Sequence, residues 1–398
     1  MVGARFALVA AAVAAFAVGP AGGQSAVVRS AYHDFRVVTV VDGLEHPWSM
    51  AFLLDGDMLV TEQPGRLRVI HNGRLLADPV PGVPEVLVEP RGRRLATEGG
   101  LLDIALHPNF AANRLIYLSF SKPNADRSQA TTAVVRARFE NHRLTAVEEV
   151  FEAVTEGRGS YGSRLAFDGD GFLFITIGDR QTRPRGDMAA HPAQDLSNHQ
   201  GTTVRLHDDG RVPIDNPFVG RDNARPEIFS YGHRNAQGLA VHPQTEDIWL
   251  NEHGPQGGDE LNLILPGRNY GWPVIGFGVN YTSGLAIHAG THQDGMEQPV
   301  HLWVPSIAAS GLLIYDGDRF PGWRGSLFVG GLQGEQLARL TLNERRVVLE
   351  ETLLHSMGRI RDIRQGPEGY IYLAIDGLPV DGKTTPTPIL RLQPANGN

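Results

Sequence analysis

Repetition is the strongest constraint on what this chain can fold into. Six stretches share one plan: a glycine or small polar residue, a short apolar run, a Pro- or Asp-containing turn, then an apolar strand. They are HPWSMAFLLDGDMLVTEQPGRLRVI from His46, GGLLDIALHPNFAANRLIYLSFS from Gly99 and YGSRLAFDGDGFLFITIGDR from Tyr161. NAQGLAVHPQTEDIWLNEHG from Asn235, AASGLLIYDGDRFPGWRGSLFVGGL from Ala308 and RIRDIRQGPEGYIYLAIDG from Arg359 complete the set. Alternation in MAFLLDGDMLV and FLFITIG has the period of two expected of strands. Asp-Gly and Pro-Glu-Gly supply residues that tolerate positive φ in tight turns. The chain's 47 glycines and 26 prolines fit many short strands, and no helical stripe of useful length lies between repeats. Hairpins recurring every ~40–70 residues suit the four-stranded blades of a propeller. The expected fold is all-β, a six-bladed β-propeller forming one domain over residues 30–396. A sandwich, or two stacked β domains, is the alternative that the same turns allow.

In a propeller, the loops at one end converge on the central channel. That topology brings Glu98, Ser160, Arg234, Gly254 and Arg359 together despite their separation in sequence.

Composition excludes several classes of function. The formal net charge is −8, no basic run appears, and Lys122 and Lys383 are the only lysines, so nucleic-acid binding is not expected. Residues 1–25 place one Arg before a short apolar run, Phe6 to Val18, followed by small residues, which is the pattern of a secretory signal peptide. No later segment is apolar enough to span a membrane, so the expected mature protein is periplasmic or secreted, with no membrane insertion. There is no cysteine, which removes disulfides, thiolate ligands and thiol nucleophiles. No G-x-S-x-G elbow precedes a helix, so a Ser–His–Asp hydrolase is unsupported.

Three motifs carry chemistry. In YGHRNAQGLAVHP, Arg234, Asn235 and Gln237 precede an inner strand; Arg pairs with carboxylates, and Asn and Gln add amide donors and acceptors. The same groups also suit a loop that satisfies its own backbone. In NEHGPQGGDELNLILPGRNYGWP, Gly254-Pro255 can expose carbonyls, while Asp259 and Glu260 are adjacent carboxylates and Tyr270 follows. These are oxygen ligands of the kind calcium prefers, although the spacing is not that of an EF-hand and a solvated turn fits equally. In GRIRDIRQGPEG, Arg359 and Arg361 stand two apart on a strand and point to one face, which suits a channel anion or a pair of surface salt bridges.

PWSMAF, GGLLDIALHP, GSRLAF with IGDR, AQDLSNH, YGHRNAQGLA, NEHGPQGGDELN with NYGWP, FPGWRGSLFVG and RIRDIRQGPEGYIY follow one another in order from about Val37 to Leu392. In these motifs the chain resembles the soluble PQQ-dependent aldose sugar dehydrogenases of the glucose/sorbosone dehydrogenase family. The resemblance implies a six-bladed propeller that oxidises the anomeric hydroxyl of a sugar to a lactone. It implies pyrroloquinoline quinone (PQQ), a tricarboxylate ortho-quinone, held by Arg234, Asn235, Arg359 and Arg361 with support from Gln237. It implies calcium on the carbonyls of Gly254 and Pro255, and a second, more structural calcium at Glu260 and Tyr270. The implied partners are a small-molecule sugar and an electron acceptor that the sequence does not name, with the protein acting as a monomer or homodimer.

The chain departs from the family pattern at its most reactive point. Where the family has its general-base histidine, at the start of SYGSRL, this sequence has Ser160, a poor base near neutral pH. Asp179 of IGDR, which normally orients that histidine, then becomes the expected base. Glu98 stands where glutamine is usual at the cofactor, and Thr202 and Gln333 stand where lysines are usual. Two readings follow: a sugar dehydrogenase with an altered, slower site, or a non-oxidising calcium-containing propeller that binds sugar or cofactor, or that hydrolyses lactones using Glu98 and Asp179.

Overall fold

The computed structural model describes residues 26–89, 98–377 and 385–395. The segment expected to be a signal peptide, 1–25, lies outside them. Six antiparallel sheets form from the six repeats, and each repeat supplies the first, innermost strand of its sheet. Those inner strands are Pro47–Phe52, Leu101–Leu106, Gly162–Phe167, Ala236–Val241, Ala309–Ile314 and Arg359–Gln365. Each contacts the next, and the sixth contacts the first, so they close a ring around an axis. This is a six-bladed β-propeller. We number the blades by these strands.

The ring is fastened by the N-terminal segment. Phe35–Leu44 pairs antiparallel with Thr387–Pro394 and so completes blade 6 from the opposite end of the chain. Phe35 is fully buried there, packed edge-on against Trp323 at 5.6 Å. The core is divided into sectors: a hydrophobic cluster lies between each pair of neighbouring blades, including the pair that closes the ring. Blade alternation explains this. Each strand presents apolar residues to both neighbours, and no face of an inner sheet is left to water.

Each inner strand carries a register shift near its channel-mouth end, for example between Gly162 and Leu165 and between Ile360 and Asp362. Such bulges re-aim side chains and strengthen twist. In blade 6 the bulge places Arg361 opposite no partner, so that Arg361 and Asp362 both serve the axis although strict alternation would send them to opposite faces.

Candidate active site

The floor of the site is an ion-pair plug across the channel. Arg164 of blade 3 donates to Asp362 (2.8 Å), to the carbonyls of Arg361 (3.0 Å) and Gln237 (2.6 Å), and reaches Asp103 at 3.4 Å. Arg364 donates to Asp362 and Asp103, each at 2.9 Å. Two buried carboxylates thus meet two guanidinium groups, and blades 1, 2, 3, 4 and 6 are tied at the axis. The mouth above it is closed from below.

On this floor stands a chain of polar contacts. The Asn235 side-chain oxygen accepts from the Gly162 N–H (3.2 Å) and the Gln237 amide (3.1 Å); the Gln237 oxygen accepts from Arg361 (3.0 Å). Arg361 and Arg359 both approach Asp376, at 3.8 and 3.5 Å, and Asp376 is anchored by His46 at 2.8 Å. One acid therefore faces two arginines. Burial, with Arg359 and Arg164 close by, pulls the Arg361 guanidinium down to about 10, and its Nε has no hydrogen-bond partner. Arg234 joins from the next loop. His253 registers the combined field: burial and then Arg234, Arg361 and Arg359 pull its imidazole down to about 3. Three arginines thus lie near one another, and Asp376 compensates their charge only in part.

Ser160 lies at the edge of this group. Its backbone is left-handed (φ 40°), and a side chain at Gly178 would overlap its carbonyl oxygen, so the SYGS turn fits only against a glycine. Its carbonyl accepts from Arg180 at 3.0 Å. Asp179 is buried, and its N–H donates to the Arg234 carbonyl (2.8 Å). Its carboxylate accepts from the Gln181 N–H (2.9 Å) and the Trp272 indole (3.0 Å). Burial raises its carboxyl above the ordinary range, against the opposing pull of Arg234. Thr202 is buried and donates to the His199 carbonyl, whereas Gln333 is exposed. Glu98 contributes backbone to a two-residue strand paired with Val88–Glu89; its side chain lies outside the described residues.

The Gly254-Pro255 turn is held from behind. Asp259 accepts from the Gly254 N–H (2.9 Å), from Ser306 and from the Ala309 N–H, so its carboxylate is committed to the turn. The Gly254 carbonyl accepts from Arg234 at 2.7 Å. Next to it, Glu260 sits directly across the sheet from Glu252. Burial, and then the Glu252 charge, push the Glu260 carboxyl up to about 8. The Tyr270 hydroxyl is engaged with its own sheet, donating to the Leu263 carbonyl and accepting from the Leu265 N–H.

Among the described residues, no group of three or more His, Asp or Glu side chains is placed to hold a metal. A cation here must draw on carbonyls, and the facing Glu252 and Glu260 are the acids that a nearby cation would relieve. The fit to a tricarboxylate is more direct. An orphaned buried guanidinium N–H and three neighbouring arginines are what a polyanion satisfies. Calcium suits this positive field only alongside that anion.

Several working residues escaped the sequence reading: Asp103, Arg164, Asp362 and Arg364 in the plug, Asp376 beneath the arginines, Glu252 and Trp272. A signal for some was present. The second strand of four repeats ends in, or just before, an acid (Glu62, Glu252, Asp376 and Asp179), and all four are buried. Histidines near these motifs are held in pairs, His46 with Asp376 and His233 with Glu252.

Fold and site together define the class: a closed six-bladed propeller with an arginine-rich axial mouth above a buried ion-pair cluster. The chain belongs to the glucose/sorbosone dehydrogenase family, whose model matches residues 44–383. It is 42% identical over 349 residues to the aldose sugar dehydrogenase YliI of Escherichia coli, covering 86% of this chain and 90% of that one. The crystal structure of the soluble E. coli aldose sugar dehydrogenase in its apo form superposes with a TM-score of 0.81 at 39% identity, over 90% of this chain and 99% of that one. The PQQ-bound aldose sugar dehydrogenase of Streptomyces coelicolor gives a TM-score of 0.69 at 28% identity, over 90% and 98%.

Proposed function

We propose that this protein oxidises the anomeric hydroxyl of aldose sugars to lactones in the periplasm or outside the cell, using PQQ and calcium. The observation that carries this reading is that Arg359 and Arg361 share a single acid, Asp376, with the Nε of buried Arg361 left without a hydrogen-bond partner, while Arg234 reaches the His253 carbonyl from the next loop. When bound, PQQ supplies the hydride acceptor and calcium the Lewis acid that polarises it. Arg361, Arg359 and Arg234 bind the carboxylates, with Asn235 and Gln237 fixing Arg361 from the side. The carbonyls of Gly254 and Pro255 face the metal, and Asp259 holds that turn in shape. Glu260, with the Tyr270 carbonyl, serves a second and structural cation.

The proton of the sugar hydroxyl needs an acceptor. Ser160 offers only a hydroxyl, so Asp179 takes the role. Its burial makes it a stronger base than an ordinary aspartate. The same burial, and its indole partner, limit its access to substrate. That observation favours a second reading, in which cofactor or sugar is bound without turnover.

The test is reconstitution of the purified protein with PQQ and Ca²⁺, desalting, and dye-reduction assays with several aldoses. Retained quinone absorbance and sugar-dependent reduction are expected. No retained cofactor and no activity would sink the proposal. Ser160→His should raise turnover by ~10²-fold or more if the base is what limits the reaction. Retained cofactor without turnover, in the parent and in this variant, selects the second reading.

A further inference from the structure

Trp272 touches more of the site's machinery than any motif reading assigns to it. Its backbone is pinned on both sides, by the N–H to the Gly232 carbonyl (2.8 Å) and by the carbonyl accepting from Gln194 (2.7 Å). The residue is 7% exposed. From this fixed base the indole N–H donates to Asp179 at 3.0 Å, and the Arg234 guanidinium lies 5.3 Å from the ring centroid. His288 and His191 pack edge-on at 5.5 and 6.2 Å. His288 is itself tied to the Pro273 carbonyl at 2.9 Å. One rigid side chain therefore joins the loop after the second strand of blade 3 to the loop that enters blade 4.

We propose that Trp272 is the positioning residue of this site: its N–H orients the Asp179 carboxylate as proton acceptor, and its ring holds Arg234 toward the anionic cofactor. This rests on the function proposed above. The two roles separate chemically. Phenylalanine keeps a ring face and deletes the N–H; leucine deletes both. A donated N–H favours the ionised carboxylate, and its loss raises the acid further. The other groups facing Asp179 are Arg234, His191 and the Gln181 N–H, and all remain in the phenylalanine variant. The base works deprotonated, so the acid limb of the pH–rate profile must move to higher pH. A hydrogen bond to a charged group is of a size to move it by about one pH unit. Loss of a desolvated cation–π contact is of a size to weaken cofactor binding by roughly 5- to 30-fold.

The experiment uses the full chain with Trp272→Phe and Trp272→Leu. PQQ affinity is read by absorbance titration with saturating Ca²⁺, which needs no turnover, and sugar oxidation is read by dye reduction across pH. Trp272→Phe is expected to bind PQQ within about twofold of the parent with its acid limb shifted upward; Trp272→Leu is expected to lose affinity. Reduced activity with an unshifted profile in Trp272→Phe, or parental PQQ affinity in Trp272→Leu, overturns the proposal while leaving the dehydrogenase reading intact. Should Trp272→Leu fail to fold, the Trp272→Phe profile decides alone. A parent that binds PQQ without turnover at any pH removes Asp179 as acceptor and overturns the proposal. A parent that neither binds PQQ nor turns over overturns both readings.

Discussion

Asp362→Asn is the substitution that the axial plug makes most costly. The Asp362 carboxylate accepts three hydrogen bonds at once. Its Oδ1 accepts from Arg164 (2.8 Å), and its Oδ2 accepts from Arg364 (2.9 Å) and the Met50 N–H (3.0 Å), while burial keeps water away. Asparagine keeps one acceptor oxygen and turns an NH₂ toward donors whichever way it flips. At least one charge-assisted bond is lost, a donor faces a donor, and two guanidinium groups share the remaining Asp103. Breaking a buried ion pair from one side costs about 3–5 kcal/mol, against a typical domain stability of about 5–15 kcal/mol. At roughly 2 °C per kcal/mol for a larger domain, Tm should fall by about 6–10 °C. The effect should reach function, because Arg164 also holds the Arg361 carbonyl at 3.0 Å. PQQ affinity should therefore drop with stability. The assay is calorimetry and urea unfolding of the parent and variant, with Arg324→Met as control. Arg324 and its partner Asp318 are largely exposed, and such pairs contribute about 0–1 kcal/mol. A Tm within 2 °C of the parent for Asp362→Asn, or an equal loss in the control, would refute the reasoning that the plug organises the axis.

Other outcomes follow from the same geometry. Arg361→Gln removes the buried, partly unsatisfied guanidinium and should weaken PQQ binding by about tenfold or more in an absorbance titration, without the stability loss of Asp362→Asn. Gly178→Ala drives a methyl group into the Ser160 carbonyl and should destabilise the protein by about 1–3 kcal/mol and lower any sugar oxidation, seen in urea unfolding and dye assays. Burial beside Glu252 holds the Glu260 proton to about pH 8 when folded, whereas the unfolded carboxyl releases it near the ordinary 4.5. Between those values the folded state binds more protons, so in metal-free buffer stability should fall as pH rises from 5 to 8. Glu260→Gln should flatten that slope in thermal melts, and a slope of opposite sign would exclude Glu260 as its source.

The sequence alone determined the propeller. Hydrophobic alternation of period two, broken by Asp-Gly and Pro-Glu-Gly turns and repeated six times, leaves few ways to bury both faces of every hairpin, and the six inner strands begin at the six repeats. Arg234, Arg359 and Arg361 could be singled out too, because they stand at or beside the start of a repeat, where propeller topology brings such positions near one another. Tertiary structure decided the rest. Strict alternation sends Asp362 and Arg364 away from Arg361; a bulge at Ile360–Asp362 brings them to the axis. Asp259 reads as a ligand in sequence, beside Glu260, and is instead spent on the Gly254 N–H and on Ser306 from the far side of a long loop. Trp272 and Asp179 are separated by 93 positions, and nothing local records their hydrogen bond. Local pattern encodes which residues line an edge. Only closure of the ring, which sets bulges and loop-to-loop contacts between distant repeats, determines which of those residues meet.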